Sequence, residues 1–275
     1  MEVHGGCSAR GMRHIKIVIE VWPELFVIEQ SIHAQGSLSF LNYEEILTAK
    51  KEIIARLESQ LEFAQEIRAK LEADSKALER RAALRAWQAA RLARTHADLL
   101  ENPRYRDTAL FFLSDIYGPK DLNRHINAVK QLVPLMTKVL PDAGLETVAD
   151  AVELNAVSEW LDADMVEILK DDVFHLDEAN YIRAYRAVGR KADRERQIGL
   201  IEHVGRSLDS LTRKPLISAT LSLMRKPAKL AGVGELHDFL ERGHSAFRIM
   251  QGAKEFLETI TSQERALMTA WFAGP

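Results

Sequence analysis

Residues 102–121 read Asn-Pro-Arg-Tyr-Arg-Asp-Thr-Ala-Leu-Phe-Phe-Leu-Ser-Asp-Ile-Tyr-Gly-Pro-Lys-Asp. The stretch opens with a helix start and closes with a helix stop. Asn102 can accept from orphan backbone N–H groups, and Pro103 suits a first turn, where a missing donor costs nothing. Gly118 can take the left-handed conformation that closes a helix, and Pro119 blocks continuation. At about 100° per residue, Tyr105, Ala109, Leu110, Phe112, Leu113, Ile116 and Tyr117 fill one broad apolar arc. Arg104, Asp107, Thr108, Ser114 and Asp115 take the other side, with Phe111 in their midst. Either a second layer of protein covers that side or Phe111 is exposed for a partner; burial on both sides is the commoner arrangement. Phe111, Asp115 and Tyr117 are therefore candidate binding residues.

Upstream, Tyr43 to Glu101 contains neither Gly nor Pro. One straight helix of that length would reach roughly 90 Å, against a diameter near 50 Å for a compact domain of this size. The helix must break, with a break expected near Ala73 to Ser75, or project as an arm. Ile54, Leu57, Leu61, Ala64, Leu71 and Leu78 follow three- and four-residue steps, but Arg68 and Ser75 interrupt the seam. Such a seam fits an antiparallel helix pair or a modest dimer contact better than a strong zipper. Residues 1–42 read differently: Ile15, Ile17, Ile19 and Val21 alternate with Lys16, Val18 and Glu20 as a strand would. They are expected to form an accessory extension outside the main domain, or to reflect a mis-set start.

Downstream, breakers recur at short intervals and outline further helices. One runs from Asp121 to Leu140 with Pro134 inside it. After a turn at Pro141 to Gly144, others span Leu145–Lys170, Asp177–Val188, Asp193–Arg213, Pro215–Met224, Gly234–Met250 and Ala253–Phe272. The expected fold is all-α, a single domain over residues 43–275 of about eight to ten helices, with residues 43–101 as a long helical arm or hairpin and residues 102–275 as a compact bundle.

Hydrophobic content of 47% with 28% charge is ordinary for a globular chain, and a net charge of −3 offers no global attraction for nucleic acid. No uninterrupted apolar run approaches the roughly 18 residues of a membrane span. A single cysteine, Cys7, excludes an internal disulfide and fits a reducing, cytoplasmic setting. Phosphate-binding and dinucleotide glycine fingerprints and a Gly-x-Ser-x-Gly elbow are missing from the sequence.

Three constellations carry possible chemistry. His237, Glu241 and His244 stand at i, i+4 and i+7 along one apolar stripe, and Glu241-x-x-His244 has the spacing of carboxylate-bridged metal bundles. A second such motif is missing, so no metal or other cofactor is expected. Arg183, Arg186, Arg190 and Arg194 would share a face, and could hold an anion, if the helix ran through Gly189. Asp193 and Glu195 can neutralise that face instead. Tyr181 and Tyr185, one turn apart, suit a core or a pocket wall. Asp162, Asp164, Glu167, Asp171, Asp172, Asp177 and Glu178 form an acidic stretch without the partner motif that a magnesium-diphosphate site needs.

The run Phe111-Phe112-Leu113-Ser114-Asp115-Ile116-Tyr117-Gly118-Pro119-Lys120-Asp121 resembles the signature of the bacterial FFLEELY-motif family, whose function is unknown. Tyr181 to Arg190 extends the resemblance, which covers roughly residues 80–272. The chain departs from the signature at Ser114 and Ile116, leaving Asp115 where the family has paired acids. The resemblance implies a family but no activity.

Two readings are open. The first is a non-catalytic interaction or scaffold module that meets a protein partner or a second copy through the long helix or the Phe111 side. The second is a ligand-binding bundle or metal-dependent enzyme with an internal site built from Asp115, Tyr117, Tyr185, Arg186, Arg190 and the His237–Glu241–His244 edge. The second requires those side chains to converge on one cavity.

Overall fold

The computed structural model describes residues 40–116, 123–140 and 142–274. The strand-like alternation at 15–21, Cys7, Tyr117, Gly118 and Pro119 lie outside the described residues. Within them the chain forms eleven α-helices and no strand, as its composition leads one to expect.

Helix α1 (Phe40–Glu72) stops at the expected break, and α2 (Ser75–Thr95) starts anew. The restart is local chemistry: the Asp74 carboxylate accepts from Lys76 N at 2.9 Å, the N-cap bond that Asp favours. Helices α3 (Ala97–Glu101) and α4 (Arg106–Phe111) come next, and α4 continues as a π-helical turn, Phe112–Ile116. Helices α5 (Asn123–Val139) and α6 (Asp142–Leu169) lead to a 3₁₀ turn, Lys170–His175. Then come α7 (Glu178–Val188), α8 (Lys191–Thr212), α9 (Pro215–Leu230), α10 (Gly234–Met250) and α11 (Lys254–Ala273).

Helix α6 is the axis of the bundle. Leu145, Ala149, Val152, Ala156, Leu161 and Met165 are all but sealed from solvent, and they point to several sides, as in a helix surrounded by others. Helix α1 lies along it in parallel: Lys50 meets Asp142 at 3.7 Å, Arg56 meets Asp150 at 2.6 Å, and the Phe63 and Trp160 rings are 5.7 Å apart. The seam residues Leu57, Leu61 and Ala64 pack with Val152 and Ala156, so this chain covers its own seam. Helix α8 runs antiparallel to α6 on another side. Arg190 reaches Asp164 at 2.5 Å, Gln197 reaches Ser158 at 2.8 Å, and His203 lies 2.9 Å from Asp150.

The central stretch departs from its sequence reading. Asn102 closes α3, and its side chain accepts from Arg104 N at 2.9 Å, an Asx turn rather than a helix cap. The helix therefore begins at Arg106. The π turn changes the angular register of the residues beyond Phe111, and Asp115, on the polar arc by α-helical period, is buried. Thr108, on the same arc, is buried as well, whereas Leu110 is half exposed. A second layer does cover this side. Thr108 Oγ1 donates to Ala246 O at 3.0 Å, Arg242 binds Asp115 at 2.6 Å, and Phe111 packs on Phe239 with centroids 5.4 Å apart. Gly243 permits that approach, since a Cβ there would sit 2.9 Å from Phe111 Cζ. Downstream, α6 starts at Asp142, so Gly144 is helical rather than part of a turn.

Candidate ligand-binding cavity

Three separate apolar clusters hold the bundle. One joins α2, α6, α7 and α11, one joins α1, α5 and α6, and one joins α3, α4, α10 and α11. Between them lies a cavity of about 1470 Å³, larger than the roughly 300–1,000 Å³ of most small-molecule sites. Its wall changes character along α8: Arg194 and Gln197 line it near the helix start, and Ile201, Val204, Leu208 and Leu211 line it beyond. The antiparallel α6 matches this gradient, with Asn155, Ser158, Glu159 and Asp162 beside the polar end and Val148, Ala151 and Val152 beside the apolar one. Elementary helix periodicity places each set on one face, at steps of three and four residues.

The polar end is buried and densely charged. Glu159, on α6, accepts from Arg81 and, at 3.3 Å, from Arg85, whose other nitrogen donates to Ile116 O of the π turn at 2.6 Å. Burial pushes the Glu159 carboxyl up, outweighing the pull of Arg81. Gln88 donates to Asp162 at 3.0 Å. Glu264, on α11, accepts from Arg91 at 2.5 Å and lies 3.1 Å from His96 Nε2. Burial works to raise Glu264, but the His96 hydrogen bond and the Arg91 charge prevail and hold it below the usual carboxylate range.

Arg194 differs from the other guanidinium groups here. It is 5% exposed, its plane lies over the Tyr185 ring at 4.3 Å, and its Nε and Nη2 are buried without a hydrogen-bond partner. Among the described residues no carboxylate stands within ion-pair distance of it. Further along the wall, the Asn155 Nδ2 amide is also buried and unpartnered. Burial pushes the Tyr185 hydroxyl up to about 12, so it stays a neutral donor at ordinary pH. Four guanidinium groups (Arg81, Arg85, Arg91, Arg194) share this end with three carboxylates (Glu159, Asp162, Glu264), an excess of one positive charge.

The cavity collects only part of what the sequence proposed. Phe111, Tyr185, His237 and His244 line it; Asp115, Arg186, Arg190 and Glu241 are not part of its wall. The arginine face does not form, because Gly189 takes φ of 74° and Arg190 φ of 40°, ending α7 and turning the chain before α8. Arg186 donates to Trp271 O, Arg190 stacks on Trp160 at 3.7 Å, and Arg194 turns inward. The His237–Glu241–His244 edge is likewise divided. Arg225 grips Glu241 at 2.9 Å and holds its carboxyl low, Ser218 contacts His244 Nε2 at 3.1 Å, and His237 Nε2 is 3.5 Å from Glu241. Among the described residues no group of three or more His, Cys, Asp or Glu side chains is placed to hold a metal ion. The acidic stretch is spent locally: Asp171 pairs with Lys76 and Arg80, and Asp177 caps α7 through Asn180 N at 2.7 Å.

Arg81, Arg85, Arg91, His96, Asn155, Glu159 and Glu264 belong to the site and were missed by sequence reasoning. For those on α2 and α6 the signal was polar residues at three- and four-residue steps within the buried faces of the two helices, where a charge needs a partner; His96 and Glu264, outside them, gave no such signal.

Fold and site together define an all-α bundle with an amphipathic interior cavity. Residues 67–275 match the family model described as a domain of unknown function, DUF8198, and the chain belongs to that family. The match begins within α1, whose preceding turns nonetheless pack on α6. No curated protein and no solved structure matches the chain. No helix among the described residues is long and apolar enough to cross a membrane.

Proposed function

We propose that this protein binds a largely apolar small molecule inside its bundle. The observation that carries the reading is the cavity itself: about 1470 Å³ of space walled by helices, apolar over most of its surface, with a buried charged cluster at one end and Arg213 and Lys214 beyond Leu211 at the other. A concave space of this size, apolar over most of its lining and partly open to solvent, has the form of a small-molecule site. Phe111 and Phe112 line the wall, which gives the aromatic cluster of the central stretch a part in the reading. The resemblance to FFLEELY-motif proteins adds no activity, and Cys7 alone supports a cytoplasmic setting.

The test is uptake of N-phenyl-1-naphthylamine, a neutral dye that fluoresces on entering apolar surroundings. The wild-type chain should take it up saturably. Val204→Trp and, independently, Leu221→Trp fill the space from α8 and α9 and should weaken uptake at least tenfold while melting no lower. No uptake by the wild type, or undiminished uptake by both filled variants, overturns the reading.

A protein partner or a second copy is the second reading. It now rests on Leu223 and Leu230, 68% and 64% exposed two turns apart on α9, rather than on the α1 seam or Phe111, both covered within the chain. Size-exclusion chromatography with light scattering tests it: a monomer unaltered by Leu223→Glu removes the self-association form of this reading.

A further inference from the structure

Resting on the cavity reading, we propose that the ligand is a single-chain amphiphile whose anionic head is received by Arg194 and whose hydrocarbon tail lies along α8 toward Leu211. A buried cation without a counter-ion opposes folding, and the surrounding groups leave this one uncompensated. Every other guanidinium at the polar end has a carboxylate: Arg81 and Arg85 share Glu159, and Arg91 holds Glu264. Arg194 has only the face of Tyr185. Its unpartnered Nε and Nη2 are adjacent corners of one guanidinium fork, the edge that grips a carboxylate or phosphate with two parallel bonds. The Tyr185 hydroxyl, on the ring against which the guanidinium lies, is a further neutral donor.

The rest of the cavity selects the tail. From Arg194 to Leu211 the cavity-facing side of α8 turns apolar after Gln197, and seventeen residues of helix span roughly 25 Å. One acyl chain covers about half of a ~30 Å bilayer core, so head and tail both fit along this wall. The excess of a single positive charge favours a monoanion, a fatty carboxylate, over a doubly charged phosphate monoester. Both sources share the chemistry of an anion on an alkyl chain.

Competition against N-phenyl-1-naphthylamine on the full chain decides the matter, with laurate, dodecyl phosphate and dodecanol as competitors of equal chain length. Laurate should displace the dye at least tenfold more effectively than dodecanol. Arg194→Met should abolish that advantage, lowering laurate affinity about 10- to 100-fold, the size of a hydrogen bond to a charged group, while dye uptake persists. Arg194→Lys, which keeps the charge but loses the fork, should fall between and serves as the folded control. If dodecyl phosphate wins over laurate and loses its advantage in Arg194→Met, the anionic head stands and its source is a phosphate ester. Equal displacement by laurate and dodecanol, or undiminished laurate affinity in Arg194→Met, overturns the head-group assignment and leaves the cavity reading intact. Failure of the wild type to bind the dye removes the cavity reading first.

Discussion

Replacing Glu264 by Gln is the sharpest probe of the charged end of the cavity. One oxygen of this carboxylate receives both Arg91 and His96, tying α11 to α2, and all three side chains are at least 86% shielded from solvent. Gln keeps the size and one acceptor but removes the charge. Removing one partner of a buried ion pair costs about 3–5 kcal/mol; a neutral acceptor restores part of this, because neutral hydrogen bonds are about half as strong as charge-assisted ones. The expected loss is about 2–3 kcal/mol, which for a chain of this size lowers Tm by about 4–12 °C at pH 7.

The sign of the pH dependence comes from the depressed Glu264 carboxyl. A depressed folded pKa contributes stability that is present above the unfolded value and lost as pH falls through the folded one. Gln does not titrate, so the gap between wild type and Glu264→Gln should be complete at pH 7 and should shrink below about pH 4.5 as the wild type loses its advantage. Differential scanning calorimetry across pH 3.5 to 7 measures both. A Tm within about 1 °C of wild type at pH 7, or a gap that stays constant down to pH 3.5, would refute the Arg91–Glu264–His96 linkage as the source of stability.

The same packing sets three other outcomes. A Cβ on Gly205 would overlap Leu257 Cδ2, itself sealed in the core between α8 and α11. Gly205→Val should therefore cost about 3 kcal/mol, and Leu257→Ala in that background should cost less than it does alone, as a urea double-mutant cycle reads directly. Arg194→Met removes an uncompensated buried charge and forfeits a cation–π contact of about 2 kcal/mol, so in ligand-free protein its Tm should equal or exceed that of the wild type; a fall of more than about 3 °C would mean that Arg194 has a counter-ion in the apo state. Leu61, 1% exposed in the α1 seam that packs against α6, tests whether that seam is internal: Leu61→Lys should unfold the chain by circular dichroism, whereas a folded protein that merely loses self-association would place the seam between subunits.

The helical fold was legible because its punctuation is local. Asp74 and Asp177 act through their own next few residues, and Gly189 does so through a positive φ that any sequence reader can anticipate. Where the same kind of residue had two local options, reading failed: Asn102 bonds to Arg104 N instead of capping a helix, and α4 starts four residues later than Asn102. The π turn at Phe112–Ile116 was beyond reach for a different reason. It is held from outside, with Arg85 taking the Ile116 carbonyl and Arg242 taking Asp115, and no residue of the turn itself announces it.

The site was less legible than the fold because its chemistry depends on which charges find partners. Arg186, Arg190 and Arg194 look equivalent in the sequence, but their fates separate at Gly189, where a single change of direction sends two of them to the edge of the bundle and one into its interior. A run of arginines is usually a solvated face, but Arg186 and Arg190 pack on Trp271 O and Trp160 at the edge of the bundle. The third is informative because burial without a counter-ion opposes folding, whereas filling the adjacent space with an anion and an apolar chain would offset both the unpaired charge and the unfilled volume. The two anomalies, an oversized cavity and an orphan guanidinium on its wall, have one common remedy. That shared remedy ties the arginine to the proposed ligand, since one amphiphile would meet the guanidinium with its head and fill the apolar space with its tail.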